Sequence, residues 1–384
     1  MKKRYFSFGG CMKKITWFAF LGLCLFAWTG AAFAENIKIG LMCPLTGGWT
    51  SEGKDMERIV SLLAEEVNKN GGINGKQIEL VIEDDAGDPR SAALAAQKLA
   101  SNEVVAVIGT YGSAVTEATQ NIYDESEILQ IGTGSTSVRL TEKGLDYFFR
   151  TCPRDDEQGI VAARYIQKLG YKNVAIVHDN SSYSSGLAEE SRAELEKLGI
   201  NVVFYDALTP KERDYSPILT KIKAVNPDLI FFTAYYPEAG LLLRQKSEMG
   251  WDVPMIGGDA VNNLDLLKIA GKSAEGFLFV SPPVLKDFST EQGKAFLNAY
   301  KAKYDDTLPQ SVWAVLAGDA FNVLVEALKN TEPDAEALSA YLKNDLGEYE
   351  GITGTFGFNQ KGDRVGPLYR LYEVDKNGNF VIKE

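Results

Sequence analysis

The feature that most constrains the fold is a repeated alternation of short apolar strands with amphipathic helices. Strands are predicted over residues 37–42, 77–83 and 104–108, and helices over residues 51–70 and 89–101 lie between them. The helical segments repeat their apolar residues every three to four positions, whereas the strand segments are short and apolar or alternating. Strands joined through helices in this way form a parallel sheet with right-handed crossovers. The chain is therefore predicted to be an α/β protein.

The same alternation restarts after residue 153 and predicts a second sheet. Its predicted helices cover residues 156–169, 183–198, 215–225 and 238–249, and its strands cover residues 173–178, 201–205, 229–233 and 254–257. A break at the Ser-Pro-Pro sequence of residues 281–283 is followed by long helices predicted over residues 288–304 and 312–330. The tail, residues 352–382, is predicted to form strands in a hairpin.

Two strands of the first half end in loops of similar composition. Residues 104–108 run into GTYGSA at 109–114, and residues 128–131 run into GTGSTS at 132–137. Free backbone amides and small hydroxyls at a helix start can bind an anion such as a carboxylate. Neighbouring parallel strands bring such loops to one shared cleft. The alternative is that both loops are ordinary helix caps that bind nothing.

The first 34 residues have the pattern of a secretory signal peptide. Two lysines precede an apolar run over residues 15–28, and an A-x-A cleavage site ends at Ala34. The run is too short to be a transmembrane helix. We expect cleavage after about Ala34 and a mature protein in the periplasm, with translation starting at either Met1 or Met12.

Charge and motif content exclude several classes of function. The net charge is −12, and it becomes −17 once residues 1–34 are removed, because that segment has five basic residues and no acid. Such a charge argues against nucleic acid or an anionic membrane surface as a partner. The chain has one histidine, His178, and no HExxH, CxxC, G-x-S-x-G or Walker A motif. We therefore expect no metal, no cofactor and no hydrolase activity.

Several segments resemble, in order, the leucine/isoleucine/valine-binding proteins of ABC importers. They are IKIG at 37–40, PLTG at 44–47, GGINGK at 71–76, DDAGDP at 84–89, LT at 140–141, AIVHD at 175–179, YPEAG at 236–240 and GTFGF at 354–358. The resemblance covers the whole chain after the signal peptide. It implies the fold of a type I periplasmic binding protein, with two doubly wound parallel-sheet lobes joined by three crossovers.

The resemblance also implies where the lobes begin and end. Crossovers are expected near residues 150–154, 280–284 and 355–358, where the alternation breaks. The expected domains are a signal peptide at 1–34, a first lobe of 35–153 plus 284–356, and a second lobe of 154–283 plus 357–384.

The family holds the α-carboxylate and α-ammonium groups of a free amino acid. The positions that match the carboxylate contacts are Ser113 and Thr136. The carbonyl of Gly134 and the hydroxyl of Thr136 match ammonium contacts, and Asp259 matches the acid that the second lobe adds. This chemistry suits a zwitterion, which needs donors at one end and a negative charge at the other. For Asp259 taken without the resemblance, a solvated loop residue is the alternative.

Aromatic residues match the walls of the side-chain pocket in the family. Tyr183 and Tyr235 occupy such positions, and Trp49 and Tyr111 are plausible additional walls. Packing at the rim or in the core is the alternative for each of them alone. Glu52 departs from the family, which commonly has an aromatic residue there, so the side-chain selectivity stays open.

Two cysteines, Cys43 and Cys152, remain after the signal peptide. Cys43 ends the first predicted strand on the cleft side, and Cys152 lies in the first crossover, which leaves from the same end of that sheet. Export to an oxidising compartment favours a disulfide between them. Two buried free thiols are the alternative, since cysteine packs as a small apolar residue.

The predicted function is capture of a free amino acid, branched-chain or otherwise apolar, without any enzymatic step. The expected partners are this amino acid and the membrane permease subunits of an ABC importer, and the chain is expected to be a monomer. Binding between the lobes would couple to hinge closure, so that only the closed form is presented to the permease. The alternative is an exported sensory or receptor-type ligand-binding protein of the same fold.

Overall fold

The structure is a computed structural model that describes residues 1–6, 36–366 and 368–383. Residues 1–6 have no regular secondary structure, and the rest of the predicted signal peptide, with its cleavage site, lies outside the described residues. Within the described ranges, no helix is both long enough and apolar enough to cross a membrane.

The first sheet has the parallel arrangement that the alternation of strands and helices predicts. Its five strands lie in the order β2-β1-β3-β4-β5, and every neighbouring pair is parallel. The strands are β1 (Ile37–Cys43), β2 (Ile78–Asp84), β3 (Ala106–Ile108), β4 (Leu129–Gly132) and β5 (Phe148–Arg150). The helices between them are α1 (Thr50–Lys69), α2 (Pro89–Ser101), α3 (Ser113–Glu125) and the short α4 (Arg139–Glu142).

The second sheet combines a parallel centre with an antiparallel edge. Its order is β15-β14-β10-β9-β8-β6-β7, and only β14 and β15 run antiparallel to their neighbours. The strands are β6 (Asn173–His178), β7 (Asn201–Ala207), β8 (Leu229–Phe232), β9 (Met255–Gly257), β10 (Leu278–Ser281), β14 (Arg370–Val374) and β15 (Phe380–Ile382). The helices are α5 (Asp155–Lys168), α6 (Ser182–Lys197), α7 (Ser216–Ala224), α8 (Tyr236–Glu248) and α9 (Asp265–Ala270). The antiparallel pair β14–β15 is the hairpin that the tail predicts.

Three further helices and a small antiparallel sheet complete the structure. The helices are α10 (Glu291–Lys303), α11 (Val312–Asn330) and α12 (Ala335–Asn344), and the sheet contains β11 (Tyr349–Gly351), β12 (Gly354–Phe358) and β13 (Arg364–Val365). Helix α11 is buried on nearly all sides and packs on α1. We call the first sheet with α1–α4, α10–α12 and the small sheet the first lobe, and the second sheet with α5–α9 the second lobe.

Strand pairing locates the three passages between the lobes. They lie between β5 and α5, between β10 and α10, and between β13 and β14. The third passage lies beyond the predicted position at 355–358, because β12 pairs with β13. In addition, Asp363 forms a buried salt bridge of 2.6 Å with Arg150 at the edge of the first sheet. In other respects the predicted domain limits stay predictions.

The predicted disulfide between Cys43 and Cys152 is absent, and this expectation is corrected. Both cysteines are free and fully buried in the core of the first lobe. There each thiol packs as a small apolar side chain. Burial raises the pKa of Cys152 to about 12 and also raises the pKa of Cys43 well above its usual value. Both thiols are therefore protonated near neutral pH and react slowly.

We expect both thiols to be protected from alkylation in the folded protein and to react on unfolding. Iodoacetamide is added to protein lacking residues 1–34, with and without guanidinium chloride and with no reductant, and the mass is measured. Two added groups in denaturant and none in native buffer are the expected result. Cysteines that stay unmodified in denaturant would show that Cys43 and Cys152 form a disulfide after all.

Candidate functional site

The candidate site lies where the carboxyl ends of the parallel strands of both lobes meet. The first lobe contributes the loops after β3 and β4, and the second lobe contributes the loops after β6, β8 and β9. In doubly wound sheets this edge is where ligands bind, because successive loops diverge there and leave a crevice. All eight predicted site residues lie in these loops, at the adjoining helix starts, or in the loop between β1 and α1.

The predicted carboxylate end combines a helix start with two hydroxyl side chains. Ser113 is the first residue of α3 and its side chain is buried, and its Oγ accepts a hydrogen bond from the backbone N–H of Ser137 at 3.2 Å. Thr136 is buried next to Ser137, and its Oγ1 has no hydrogen-bond partner among the described residues. A free amide at a helix start and an unpaired hydroxyl are suitable donors for a carboxylate.

Hydrogen bonds from Arg150 hold the loop that carries Thr136 in place. The fully buried guanidinium of Arg150 donates from Nη1 to the carbonyl oxygens of Ser135 at 3.1 Å and Ser137 at 2.7 Å, one on each side of Thr136. Gly134 lies against the ring of Tyr111, and a Cβ there would meet Cδ2 of that ring at 2.6 Å. Only glycine allows this approach, so the loop and the aromatic wall are positioned together.

Asp259 belongs to the second lobe, two residues after β9 ends, and both of its carboxylate oxygens accept hydrogen bonds. Its Oδ1 accepts a hydrogen bond from the phenol of Tyr183 at 2.9 Å, and its Oδ2 accepts one from the phenol of Tyr369 at 2.8 Å. Its backbone N–H donates to Oε1 of Gln158 at 3.0 Å. A Cβ at Gly258 would meet the Tyr183 hydroxyl oxygen at 2.7 Å, so glycine is required before the aspartate.

A second acid, Asp155, stands beside Asp259, and the sequence did not single it out. It is the first residue of α5 and is fully buried, yet neither carboxyl oxygen has a hydrogen-bond partner among the described residues. Its backbone N–H donates to the carbonyl of Thr136 at 3.1 Å, which joins the second lobe to the carboxylate-end loop. An acid in the first turn of a helix is so common that its position gave no signal.

The two acids are electrostatically linked. Burial, and after it the neighbouring Asp259 carboxyl, raise the pKa of Asp155 well above its usual value. Burial also raises the pKa of Asp259, and the phenol hydrogen bonds only partly offset that effect. Two carboxyls in a dry site are stabilised in their charged form by a cation placed between them. The pair therefore has the chemistry of an ammonium site.

The four predicted aromatic residues form one continuous wall that crosses the cleft. Trp49 contacts Tyr235 with ring centroids 4.4 Å apart and Tyr111 at 5.3 Å, and Tyr235 contacts Tyr183 at 5.2 Å. Trp49 and Tyr111 belong to the first lobe, whereas the other two begin helices of the second lobe. The buried Tyr111 hydroxyl has no hydrogen-bond partner in the part of the chain that the structure describes. The wall offers an apolar surface to the side chain of a ligand in the cleft.

The predicted residues thus come together as one site, and Asp155, Gln158 and Tyr369 are additions. Tyr369 lies in the third passage, far along the chain from the other site residues, and no local pattern marks it. Within the described residues, no group of three or more His, Cys, Asp or Glu side chains is placed to hold a metal ion. The arrangement has the groups that a zwitterion needs: hydroxyl donors on Ser113 and Thr136, carboxyls on Asp155 and Asp259, and aromatic rings alongside.

Comparison with known proteins gives consistent matches over nearly the whole chain. A family model described as "Periplasmic binding protein" matches residues 36–379. The leucine-, isoleucine-, valine-, threonine- and alanine-binding protein of Pseudomonas aeruginosa is 34% identical over 347 residues, which cover 90% of this chain and 91% of that protein.

Solved structures have the same fold. A leucine-binding protein from Thermotoga maritima superposes with a TM-score of 0.82 at 27% identity, covering 91% of this chain and 98% of that one. The substrate-binding protein of a branched-chain amino acid transporter from Streptococcus pneumoniae, solved in complex with isoleucine, gives a TM-score of 0.79 at 30% identity, covering 90% of this chain and 97% of that one.

Proposed function

Because the chain belongs to the periplasmic binding protein family, we propose that it captures a free amino acid between its two lobes and delivers it to the permease of an ABC importer. It is a binding protein and not an enzyme. We propose leucine, isoleucine and valine as the main ligands, in keeping with the relatives from Pseudomonas aeruginosa and Streptococcus pneumoniae.

The observation that carries the proposal is the pair of buried acids in the same cleft as the hydroxyl-lined helix start. Asp155 and Asp259 provide two negative charges for an α-ammonium group, and Ser113 and Thr136 provide donors for an α-carboxylate. Ligands with only one of these charges leave a buried group unpaired, which is costly. The aromatic wall then favours a hydrocarbon side chain over a charged one.

The proposal also covers where the protein is located, its oligomeric state and its membrane partner. We propose that residues 1–34 are a signal peptide cleaved after about Ala34, that the mature chain is a monomer in the periplasm, and that permease subunits recognise its closed form. Closure brings both lobes onto the ligand, so the closed population depends on ligand binding.

A thermal-shift screen of free amino acids tests the proposal. A ligand that binds only the folded state stabilises it by about 2.7 kcal/mol at a concentration of 100 times its Kd. We expect L-leucine, L-isoleucine and L-valine to raise the unfolding midpoint, and lysine, glutamate and D-leucine to leave it unchanged. A screen in which no amino acid raises the midpoint would overturn the proposal.

We expect Thr136→Val to weaken L-leucine binding by about 10- to 100-fold, because it removes a hydrogen bond to a charged group and keeps the side-chain volume. Ser113→Ala should also weaken binding. Calorimetry measures both, and Thr220→Val on the exposed side of α7 is the matched control. L-leucinamide should bind poorly to the unaltered protein. Equal affinity for the acid and the amide would show that these loops are only helix caps.

A further inference from the structure

A third buried acid, Glu52, lies at the cleft but outside the amino-acid site described above. It is in the first turn of α1 and is fully buried. Its Oε1 accepts a hydrogen bond from Nδ2 of Asn263 at 2.6 Å, and its Oε2 accepts one from Oγ of Ser311 at 2.6 Å. Ser311 caps α11 in the first lobe, whereas Asn263 lies between β9 and α9 in the second. The carboxyl of Glu52 therefore joins the two lobes.

The orientations of both donors are set by their other contacts. Oδ1 of Asn263 accepts from the backbone N–H of Asp265 at 2.7 Å, so the amide nitrogen of Asn263 is the atom that faces Glu52. Oγ of Ser311 accepts from the backbone N–H of Trp313 at 3.2 Å, which leaves its proton for Glu52. Each oxygen of the Glu52 carboxylate is thus paired with a donor, and Nδ2 of Asn263 also donates to Oγ of Ser51 at 3.4 Å, across the same cleft.

Neighbouring contacts cross the cleft at the same place. The phenol of Tyr236, at the start of α8, donates to the carbonyl of Gly48 at 3.0 Å and lies 3.2 Å from Oγ of Ser51. The backbone N–H of Leu264 donates to the carbonyl of Gln310 at 3.2 Å. These contacts exclude water around Glu52, and hydrogen bonds in such surroundings are stronger than those exposed to solvent.

Within the described ranges, no basic side chain is among the groups that act most strongly on Glu52. Burial raises the pKa of Glu52 to about 8, and the hydrogen bonds from Ser311 and Asn263 only partly offset this effect. The charged groups that act on it most strongly are Asp55 on α1 and Asp265 on α9, and both raise its pKa further. A buried acid among acids is costly, so its two hydrogen bonds decide whether the closed arrangement is favourable.

We propose that Glu52 and Asn263 form a clasp between the lobes that exists only in the closed form and sets how long the cleft retains its ligand. This inference rests on the proposed function, because it needs a ligand that is held by closure. Opening separates α1 from the loop after β9 and breaks the clasp. The clasp therefore stabilises the closed complex, and its main effect is on ligand dissociation.

An exchange of donor and acceptor tests the clasp. Asn263→Asp keeps the oxygen that accepts from Asp265 N–H, but it places a second carboxyl against Glu52. Combining it with Glu52→Gln restores one amide–carboxylate pair across the cleft, because the amide at position 52 then donates to the carboxylate at position 263. The remaining amide oxygen at position 52 still accepts from Ser311. The double variant is thus matched in shape, charge and hydrogen bonding to the unaltered protein.

The measurement is the chase of bound radiolabelled L-leucine with excess unlabelled L-leucine. We expect Asn263→Asp to speed dissociation by about 10- to 100-fold, and the double variant to return to within about threefold of the original rate. Glu66→Gln, an exposed change on the same helix, is the control and should leave the rate unchanged. The unfolding free energy of each ligand-free variant is measured in parallel, to identify any variant that fails to fold.

The possible results distinguish a failure of the clasp hypothesis from a failure of the proposed amino-acid binding. An unchanged rate for Asn263→Asp, or a double variant as fast as Asn263→Asp, overturns the clasp while leaving amino-acid binding intact. A double variant that folds and regains slow dissociation supports it, since a purely structural role for Glu52 would not be rescued by exchange across the cleft. An unaltered protein that binds no free amino acid overturns the proposed function and the clasp with it.

Discussion

Asp259→Ala is expected to weaken L-leucine binding by about 30- to 3,000-fold, which corresponds to roughly 2–5 kcal/mol. Asp259 is fully buried at the cleft, and its removal leaves an ammonium group in a dry cleft with one acid instead of two. It also leaves the phenols of Tyr183 and Tyr369 without their acceptor. Isothermal titration calorimetry at neutral pH measures the change.

Two further variants make this result interpretable. Asp259→Asn keeps the volume but removes the charge, so it should also weaken binding strongly. Asp228→Ala is the matched control, because Asp228 accepts hydrogen bonds from the N–H groups of Lys172 and Asn173 in the same lobe, at the opposite edge of the sheet. It should alter stability without altering affinity. A loss below about threefold for Asp259→Ala, with folding intact, would exclude Asp259 as an ammonium contact.

The same assignment fixes the direction of the pH dependence. An ammonium group between Asp155 and Asp259 lowers both pKa values from those of the ligand-free site, so binding releases protons wherever the ligand-free acids are partly protonated. Affinity is then complete above the ligand-free pKa values and falls as the pH drops through them. Asp259→Asn should reduce this dependence, because one of the two acids no longer titrates.

Asp363→Ala is expected to lower the free energy of unfolding by about 3–5 kcal/mol, because it leaves a buried guanidinium unpaired. Arg150 is fully buried and donates to Oδ1 of Asp363 from Nε at 2.8 Å and from Nη2 at 2.6 Å. Arg154 donates to the other oxygen at 3.0 Å. Urea denaturation, monitored by circular dichroism, gives the free energy of unfolding for each protein.

The control for this variant is an exposed acid of the same network. Glu142 pairs with Lys361 and Arg154 at the surface, and Glu142→Ala should have little effect on stability, because solvent screens exposed pairs. Burial opposes ionisation of Asp363, but the Arg150 and Arg154 charges outweigh it and lower the pKa of Asp363. Its contribution to stability is therefore present above the unfolded-state pKa and is lost as the pH falls through the lower folded-state value. Equal stability of Asp363→Ala and the unaltered protein at neutral pH would contradict this account.

Asp363 also shows why part of the architecture could not be predicted. The family resemblance places the third crossover near residues 355–358, where the alternation of strands and helices breaks. The structure keeps β13 in the first lobe through pairing with β12 and through Asp363 on Arg150. Partners so far apart in the chain leave no local signal, and the third passage therefore lies later than predicted.

The two cysteines show a second feature that could not be predicted from the sequence. Cys43 and Cys152 both lie at the carboxyl end of one sheet, which made a bridge between them reasonable, but Cys43 ends β1 and Cys152 follows β5, with β3 and β4 in between. A disulfide requires a specific separation and direction of the two Cβ atoms. The structure buries both residues as free thiols in the core of the first lobe. The order of strands in the sheet, which local periodicity does not reveal, keeps two strands between the two cysteines.

The sequence by itself determined the alternation of strands and helices, the two sheets, and the loops that end at the cleft. These depend on local periodicity and on the residues that begin and end helices, which act over a few positions. Only the tertiary structure decided that Asp155 lies beside Asp259, that Tyr369 anchors Asp259, and that Glu52 faces Asn263. The reason is physical: each of these pairs joins segments more than 100 residues apart, and burial, which gives the pair its energy, exists only after the lobes have formed and met.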